Sequence, residues 1–152
     1  MKECFVIATP LGNLKDISQR AIETLMAVDC IVCEDTRVSN NLLSVYGIKK
    51  PTVSLHRAAI SKSWDSFAES LLKYQTIALI TDAGTPGISD PGARFIRALK
   101  DIQKDIRVTP IPGPTAATAL ISAAGIPAAQ WLFVGFLPQS KGRKTAIQEL
   151  SA

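Results

Sequence analysis

The sequence lacks charged residues over one long internal stretch, since no Asp, Glu, Lys or Arg occurs between Arg107 and Lys141. A membrane span would need about 20 consecutive apolar residues. Prolines at 110, 112, 114, 127 and 138 interrupt the stretch, and its unbroken apolar piece, residues 115–124, has only about half the required length. This pattern excludes a membrane span there and predicts that the stretch is buried core.

Cysteine and histidine are also scarce, with Cys4, Cys30, Cys33 and a single His56 in 152 residues. Cys30 and Cys33 have C-x-x-C spacing, but a strand directs residues three apart to opposite faces, which disfavours a shared metal or redox site. We therefore expect buried apolar thiols and no metal. The chain begins without the long apolar region of a signal peptide, so we expect a cytoplasmic protein.

The usual nucleotide-binding fingerprints are absent as well. Neither G-x-G-x-x-G nor G-x-x-x-x-G-K-[ST] occurs, which excludes a dinucleotide or a triphosphate bound in the usual way. A net charge of +4, from 17 Lys and Arg against 13 Asp and Glu, is compatible with a nucleic-acid partner but does not establish one.

Short apolar runs typical of strands alternate with segments of helical periodicity along the chain. Five such strands are predicted at residues 5–8, 31–32, 52–55, 76–80 and 106–108. Five β/α units in series predict an α/β fold with a doubly wound, mainly parallel, five-stranded sheet and helices on both faces. A further strand is predicted at residues 131–136.

Capping residues and periodicity predict the helices between these strands. Helices are expected after Ser18, Ser63 and Asp90 as N-caps, and over residues 40–46 and 115–124. Their core faces are expected to include Ile22, Leu25, Met26, Phe67, Leu71, Phe95 and Leu99.

Three loops that follow predicted strands are rich in glycine and proline: residues 9–13, 81–87 and 110–115. Ligands of open parallel sheets bind outside the carboxyl ends of the strands. Each loop alone is compatible with a tight connection, but three at one edge favour a preformed cleft for a flat, adenosine-like ligand. Asp82 is a candidate acceptor for ribose hydroxyls or an ammonium group, or else a turn residue ahead of Gly84.

Six segments carry a resemblance to a known family. They are IATPLGNL at 7–14, EDTR at 34–37, TDAGTPGISDPG at 81–92, IPGPTAA at 111–117, FVGFLP at 133–138 and KGRK at 141–144. In this order they closely resemble the small-subunit (16S) ribosomal RNA (cytidine-2′-O)-methyltransferases of the tetrapyrrole methylase superfamily. The resemblance extends over the whole chain, and segment 81–92 is its most specific part.

This resemblance implies S-adenosyl-L-methionine as cofactor, bound in a cleft between two α/β domains, and a homodimer. Residues 1–114 would form the N-terminal cofactor and substrate domain, and residues 115–152 the beginning of a C-terminal α/β domain. The residues that would line the cofactor cleft by this resemblance are Pro10, Asp82, Thr85, Thr115 and Ala116, with Ile80 and Thr81 approaching by their backbone.

The implied reaction is an in-line attack of a cytidine 2′-hydroxyl on the methyl group of the cofactor, without a metal. Glu34, Asp35 and His56 are candidates for accepting the hydroxyl proton. We expect Asp35, Arg37 and His56 to act on the substrate side. Two alternatives stay open: His56 as a solvated or RNA-contacting loop residue, and Arg37 as a phosphate ligand or as the ion-pair partner of Asp35.

Contact with ribosomal RNA is expected to be electrostatic, through Arg37, Lys49, Lys50, Arg57 and Lys62. Two other functions are compatible with the chain. One is methylation of a tetrapyrrole, although the Gly-x-Gly-Pro-Gly and Gly-Asp-Pro loops expected of that branch are absent. The other is a non-catalytic domain that dimerises or contacts RNA, with Trp131, Phe133 and Phe136 packed on a partner surface.

Overall fold

The structure of this chain, a computed structural model, describes residues 1–56 and 63–150. Its centre is a five-stranded sheet in the order β3-β2-β4-β1-β5, and every pair of neighbouring strands is parallel. The strands are β1 Glu3–Ile7, β2 Cys30–Cys33, β3 Thr52–Ser54, β4 Thr76–Leu79 and β5 Arg107–Ile111. The predicted α/β fold with a five-stranded parallel sheet is confirmed.

Six α-helices and one 3₁₀ turn are assigned in the described residues. They are the 3₁₀ turn Leu14–Asp16, α1 Gln19–Ala27, α2 Thr36–Val45, α3 Trp64–Ser70, α4 Gly92–Ile102, α5 Ala116–Ala123 and α6 Arg143–Leu150. The Ser18 hydroxyl accepts a hydrogen bond from the Ala21 N–H at 3.1 Å, as predicted for an N-cap. Ser63 caps α3 through the Ser66 N–H in the same way.

Two apolar cores cover the two faces of the sheet. On one face α1 and α2 pack Leu25 and Leu43 against Ile7 and Ile80. On the other face α3 and α4 pack around Phe95, whose ring meets that of Phe67 edge to face at 5.8 Å between centroids. The sheet is therefore doubly wound, as the alternation of strands and helices predicts.

Two details of the predicted helices are wrong. Met26 is 48% exposed, and Ala21 lies in the core of α1 in its place. The second helix begins at Thr36 rather than near residue 40, because the Asp35 carboxylate accepts from the Arg37 N–H at 2.8 Å and caps it. That capping bond extends the helix through a polar segment that has little apolar periodicity.

The strand predicted at residues 131–136 is wrong. In the described part of the chain this segment joins no ladder, and β5 pairs only with β1 at the edge of the sheet. A strand needs a neighbour that satisfies its N–H and C=O groups, and this segment has none there. Apolar composition alone does not form a strand.

The charge-free stretch is buried only at its start, where Ile111 of β5 is 5% exposed; residues 112–140 contain no buried residue within this chain, contrary to the prediction of buried core. Neither α5 nor α6 contains a buried residue. Leu120 is 72% exposed, Leu132 80% and Phe136 88%. These are large apolar side chains left in contact with water within this chain.

All three cysteines are free and buried, which confirms the prediction of buried thiols. Cys4 lies in β1, and Cys30 and Cys33 begin and end β2. Burial and then the nearby charge of Glu3 raise the pKa of the Cys4 thiol to about 12. Within residues 1–56 and 63–150, no helix combines the length and apolar character needed to cross a bilayer.

Candidate functional site

The three loops rich in glycine and proline meet at the carboxyl edge of the sheet. Thr9 and Gly84 form a two-way backbone bridge, with N···O distances of 2.9 and 3.1 Å. The Thr85 hydroxyl donates to the Pro114 carbonyl oxygen at 2.9 Å, which joins the second loop to the third. The structure thus brings together the three loops that the sequence predicts at one edge.

Gly84 is needed where the loops touch. Its φ of +83° lies in the left-handed region, and a Cβ there would come within 3.1 Å of the Leu11 Cδ2 atom and 3.7 Å of the Pro114 oxygen. Gly113 is equally confined, since its Cβ would lie 2.9 Å from that of Ala8. Glycine therefore permits the close approach of the three loops.

Asp90 fixes the end of the loop that runs from β4 to α4. Its carboxylate accepts from the Gly87 N–H at 2.8 Å and from the Gly92 N–H at 2.7 Å. The prediction of Asp90 as the N-cap of α4 is wrong by one residue, since Pro91 occupies that position without a side-chain capping bond. The bond from the Gly92 N–H to Asp90 still satisfies a donor in the first turn of the helix. The turn before α4 is consequently fixed in shape.

A cleft of about 360 Å³ opens among these loops, and we call it the loop cleft. It is lined by residues 81–85, 88–90 and 115–117, and by Leu11, Glu34, Phe133 and Phe136. Five residues expected around a cofactor lie together on its wall: Thr81, Asp82, Thr85, Thr115 and Ala116.

A second cleft of about 450 Å³ lies beside the first, and we call it the helix cleft. Its lining consists of residues 10–12, Leu14, residues 81–83, and Val38, Ser39, Asn41, Leu42 and Val45 of α2. Pro10, which the sequence also places near a cofactor, lies here. The two clefts share a wall made of Leu11, Thr81, Asp82 and Ala83.

Ile80 and His56 line neither cleft. The Ile80 side chain is fully buried in the core, and its N–H donates to the Val32 oxygen at 2.9 Å. His56 is exposed, and its backbone N–H donates to the Ser54 hydroxyl at 3.2 Å. Of the basic residues expected to contact RNA, Lys49 is exposed and Lys50 half-buried, whereas Arg57 and Lys62 lie outside the described residues.

The loop cleft is acidic. Glu34, Asp82 and Asp90 all contribute to its wall. Burial, and then the negative charges of Asp82 and Asp90, raise the pKa of the Glu34 carboxyl. Three carboxyl groups around one cavity create a negative potential that favours a cationic ligand over a phosphate.

Asp35 and Arg37 form an ion pair at the start of α2. The Arg37 Nη2 atom lies 2.6 Å from the Asp35 Oδ2 atom, and the Arg37 side chain is 88% exposed. Hydrogen bonds from the Arg37 side chain, and then from its backbone N–H, lower the pKa of Asp35 to about 2. The structure therefore shows the ion pair that the sequence left as one of two alternatives, and Asp35 is a weak proton acceptor in this pair.

The sequence did not lead us to expect that α2 lines the helix cleft. Val38, Leu42 and Val45 recur at helical spacing on the side of α2 away from the core residue Leu43. That periodicity was a usable signal, because apolar residues on a second helical face indicate a second contact surface. Over residues 1–56 and 63–150, no set of three His, Cys, Asp or Glu side chains is arranged to hold a metal ion.

A family model described as tetrapyrrole (corrin/porphyrin) methylases matches residues 3–152. The chain belongs to the tetrapyrrole methylase family. Because that match spans nearly all of the chain, both clefts lie within the tetrapyrrole methylase region.

Curated relatives within the tetrapyrrole methylase family share a common name. The ribosomal RNA small subunit methyltransferase I of Mesorhizobium japonicum is 46% identical over 149 residues, which are 97% of this chain and 50% of the relative. The protein of the same name from Haemophilus influenzae is 47% identical over 148 residues, 97% of this chain and 52% of its own. The chain spans about half the length of these relatives.

Solved structures show the same fold at low sequence identity. A cobalamin-synthesis-related protein from Corynebacterium diphtheriae matches 83% of this chain and 59% of its own, with a TM-score of 0.61 and 20% identity. A uroporphyrin-III-C-methyltransferase from Thermus thermophilus covers 86% of this chain and 55% of its own, with a TM-score of 0.55 and 18% identity. At these identities the comparison supports the tetrapyrrole methylase fold alone.

Proposed function

We propose that this chain contributes the methyl-transfer site of an enzyme that methylates a cytidine ribose 2′-hydroxyl in small-subunit (16S) ribosomal RNA. The observation that carries the proposal is the acidic loop cleft, where five residues expected at a cofactor share one wall. The names of the curated relatives, at 46% and 47% identity, support ribosomal RNA as the acceptor.

The loop cleft fits S-adenosyl-L-methionine by charge and shape. When bound, this cofactor supplies a methyl group activated by attachment to a positively charged sulfur. The carboxylates of Asp82 and Asp90 suit its cationic groups, and Asp82 is exposed enough to accept hydrogen bonds from ribose hydroxyls. Ile88 and Phe133 offer apolar surface for a flat base. Thr85, Thr115 and Ala116 complete the proposed lining, with Pro10, Ile80 and Thr81 beside them.

On the acceptor side, four residues have proposed roles. Asp35 and Arg37 form a charged pair at the beginning of α2, next to the shared wall, because the Asp35 N–H donates to the Asp82 Oδ1 atom at 3.2 Å. Arg37 would orient an RNA phosphate, and His56 or Glu34 would accept the hydroxyl proton. Glu34 has the advantage of lining the loop cleft with a raised pKa.

The partners are also proposed. RNA binding is electrostatic, through Arg37, Lys49 and Lys50 together with Arg57 and Lys62. A homodimer or a further domain of the same protein would cover the exposed apolar side chains of residues 131–136, with residues 1–114 and 115–152 belonging to separate domains. We propose that the protein acts in the cytoplasm, where ribosomal RNA is found.

Calorimetry with S-adenosylhomocysteine tests the cofactor site of the 152-residue chain. We expect saturable heat that Asp82→Ala weakens, because this change removes a carboxylate from the wall of both clefts. Asp105→Ala is the matched control, since Asp105 is an exposed acidic residue outside both linings. Absence of heat at millimolar ligand would overturn the proposal and favour a non-catalytic domain.

Methyl transfer from labelled cofactor to isolated small ribosomal subunits tests the acceptor. We expect the label in a nucleotide whose neighbouring phosphodiester bond resists alkaline hydrolysis, because 2′-O-methylation blocks that reaction. Label that appears in a base, or only in an added tetrapyrrole, would contradict the proposed acceptor.

A further inference from the structure

The helix cleft is not absorbed by the cofactor proposal, since α2 supplies most of its remaining wall. We propose that the helix cleft holds one unstacked nucleoside of the acceptor RNA, with its ribose facing the shared wall. This inference rests on the proposed methyl transfer, and it assigns the acceptor to a cavity separate from that of the methyl donor.

The shared wall is the first argument. A transfer reaction needs the donor and acceptor atoms within about 3–3.5 Å of each other, so their two sites must adjoin. The loop cleft and the helix cleft have Leu11, Thr81, Asp82 and Ala83 in common, and Asp82 is exposed between them. The two cavities therefore adjoin along a single loop, as donor and acceptor sites must.

The size of the helix cleft is the second argument. Its volume of about 450 Å³ lies in the range of about 300–1,000 Å³ that is usual for small-ligand sites, and it admits no base-paired helix. An enzyme that modifies a nucleotide in such a cavity must take that nucleotide out of its stack. One nucleoside is the part of an RNA chain that fits.

The walls have the chemistry that an unstacked base requires. Val38, Leu42 and Val45 form an apolar side on α2, and Leu11 and Leu14 face them from the loop after β1. Proteins hold a displaced base between apolar side chains in this manner and read its edge by hydrogen bonds. A flat base between these walls would displace water from the apolar side chains of the helix cleft.

A buried hydroxyl provides a polar group for such reading. Ser39 lines the helix cleft and is 2% exposed, and within the described residues its hydroxyl has only the Cys33 thiol as a weak hydrogen-bonding neighbour, which partly offsets the effect of burial on the pKa of that thiol. A buried hydroxyl with only a weak partner costs folding free energy, which a ligand that bonds to it would recover. Asn41 adds an amide to the same cavity.

The helix cleft is held open by hydrogen bonds on both sides. The Tyr46 hydroxyl donates to the Leu14 carbonyl oxygen and fixes the end of α2 to the loop after β1. At the other end, the Asp35 N–H donates to Asp82 and fixes the start of α2 to the loop after β4. A cavity fixed in this way binds with little reorganisation cost.

Methyl NMR of the 152-residue chain tests the assignment with two probes, S-adenosylhomocysteine and cytidine. Cytidine should shift the methyl signals of Val38, Leu42 and Val45, whereas S-adenosylhomocysteine should shift that of Ile88 in the loop cleft. Shifts at Ile88 without any cytidine shift at α2 would overturn this inference and leave the proposed function standing. Cytidine shifts at α2 without a shift at Ile88 would overturn the proposed function and support the nucleoside site. Absence of both would overturn both.

Two variants sharpen the test. Val38→Trp fills the helix cleft and should weaken cytidine binding by about tenfold or more, with S-adenosylhomocysteine affinity changed by less than about twofold. Met26→Trp is the control, since Met26 on α1 is 48% exposed and Val38 is 43% exposed. Equal cytidine affinity in the two variants would contradict the proposal.

Ser39→Ala separates binding from folding. Because it removes a buried hydroxyl whose only neighbour of hydrogen-bonding character is the Cys33 thiol, a weak partner, thermal stability should change little, while cytidine binding should weaken severalfold. A purely structural role of Ser39 would leave cytidine affinity unchanged, and that result would remove this hydroxyl from the site.

Discussion

The hydroxyl of Thr9 donates a hydrogen bond to the carbonyl oxygen of Thr81 at 3.0 Å, although the two residues are 72 positions apart. Both residues are buried. This bond fixes the loop after β1 against the loop after β4, and these two loops form the wall that the two clefts share. The wall common to both cavities is thus fixed by this side-chain bond and by the Thr9–Gly84 backbone bridge.

Replacement of Thr9 by valine should therefore affect both stability and binding. Thr9→Val leaves the Thr81 carbonyl oxygen without its hydroxyl donor, and we expect a loss of about 1–3 kcal/mol in the free energy of unfolding. Thr9→Ser retains the hydroxyl and is the control. Urea unfolding monitors stability, and calorimetry with S-adenosylhomocysteine monitors the cleft. Equal midpoints and slopes for the two variants would contradict the role of this bond.

Gly84 allows the effect of a left-handed backbone conformation to be separated from the effect of a close contact with a neighbouring loop. Gly84→Ala places a side chain at a φ of +83° and within 3.1 Å of Leu11. Gly47→Ala has a similar φ of +68° with nothing within 4 Å. Both should lose about 1–2 kcal/mol from the left-handed backbone. Only Gly84→Ala should also weaken S-adenosylhomocysteine binding, since only it alters a cleft wall. Weakened binding in Gly47→Ala as well would point to a general loss of structure.

Asp35 has a proposed role on the acceptor side, where its ion pair orients Arg37 toward an RNA phosphate, and this role differs from its role as a helix cap. Asp35→Ala should abolish methyl transfer and leave S-adenosylhomocysteine binding intact, because Asp35 lines neither cleft. Asp35→Asn retains an oxygen that caps α2, so it removes only the charge and the ion pair with Arg37. Unchanged turnover in Asp35→Ala, measured with labelled cofactor, would remove Asp35 from the mechanism.

The ion pair of Asp35 also predicts a pH dependence of stability. The pKa of Asp35 falls from its usual 3.8 to about 2 in the folded chain. Its contribution is therefore fully present above pH 3.8 and is lost as the pH falls through about 2. Asp35→Asn should be less stable than the parent near neutral pH, and the difference should shrink toward pH 2 in thermal melts. A constant difference would indicate that the charge contributes nothing.

Glu34 predicts a pH dependence of cofactor binding. Its raised pKa means that it ionises at a higher pH than an ordinary glutamate, and the ionised form attracts the positively charged sulfur of S-adenosylmethionine. The preference for S-adenosylmethionine over S-adenosylhomocysteine, whose sulfur is uncharged, should increase as the pH rises through this pKa. Glu34→Gln should flatten that profile. Calorimetry with both ligands across the acidic pH range measures this preference. The same pH profile in the parent and in Glu34→Gln would exclude Glu34 as its source.

Much of the fold follows from local sequence signals. Ser18 and Ser63 each cap a helix, and the continuous apolar run around residues 76–80 gives a buried central strand. The loops at 81–87 and 110–115 were predictable because glycine and proline limit backbone shape, and they contact one another as the position of parallel strands requires.

The remainder depends on contacts that the sequence does not display. From the sequence, Asp35 is a candidate catalytic carboxylate. The three-dimensional arrangement shows that it caps α2 and pairs with Arg37. Residues 131–136 have strand composition but no neighbouring strand in the described chain. The raised pKa of Glu34 arises first from burial and then from the charges of Asp82 and Asp90, which are distant in sequence.

The buried cysteines can report how often the strands of the sheet separate. Cys4 in β1 and the pair Cys30 and Cys33 in β2 are fully buried, so a thiol reagent reaches them only when the strands separate. With a pKa of about 12, the Cys4 thiol would also react slowly until it meets water. Labelling rates read by mass spectrometry would then show whether the two strands open together or separately, without any engineered reporter.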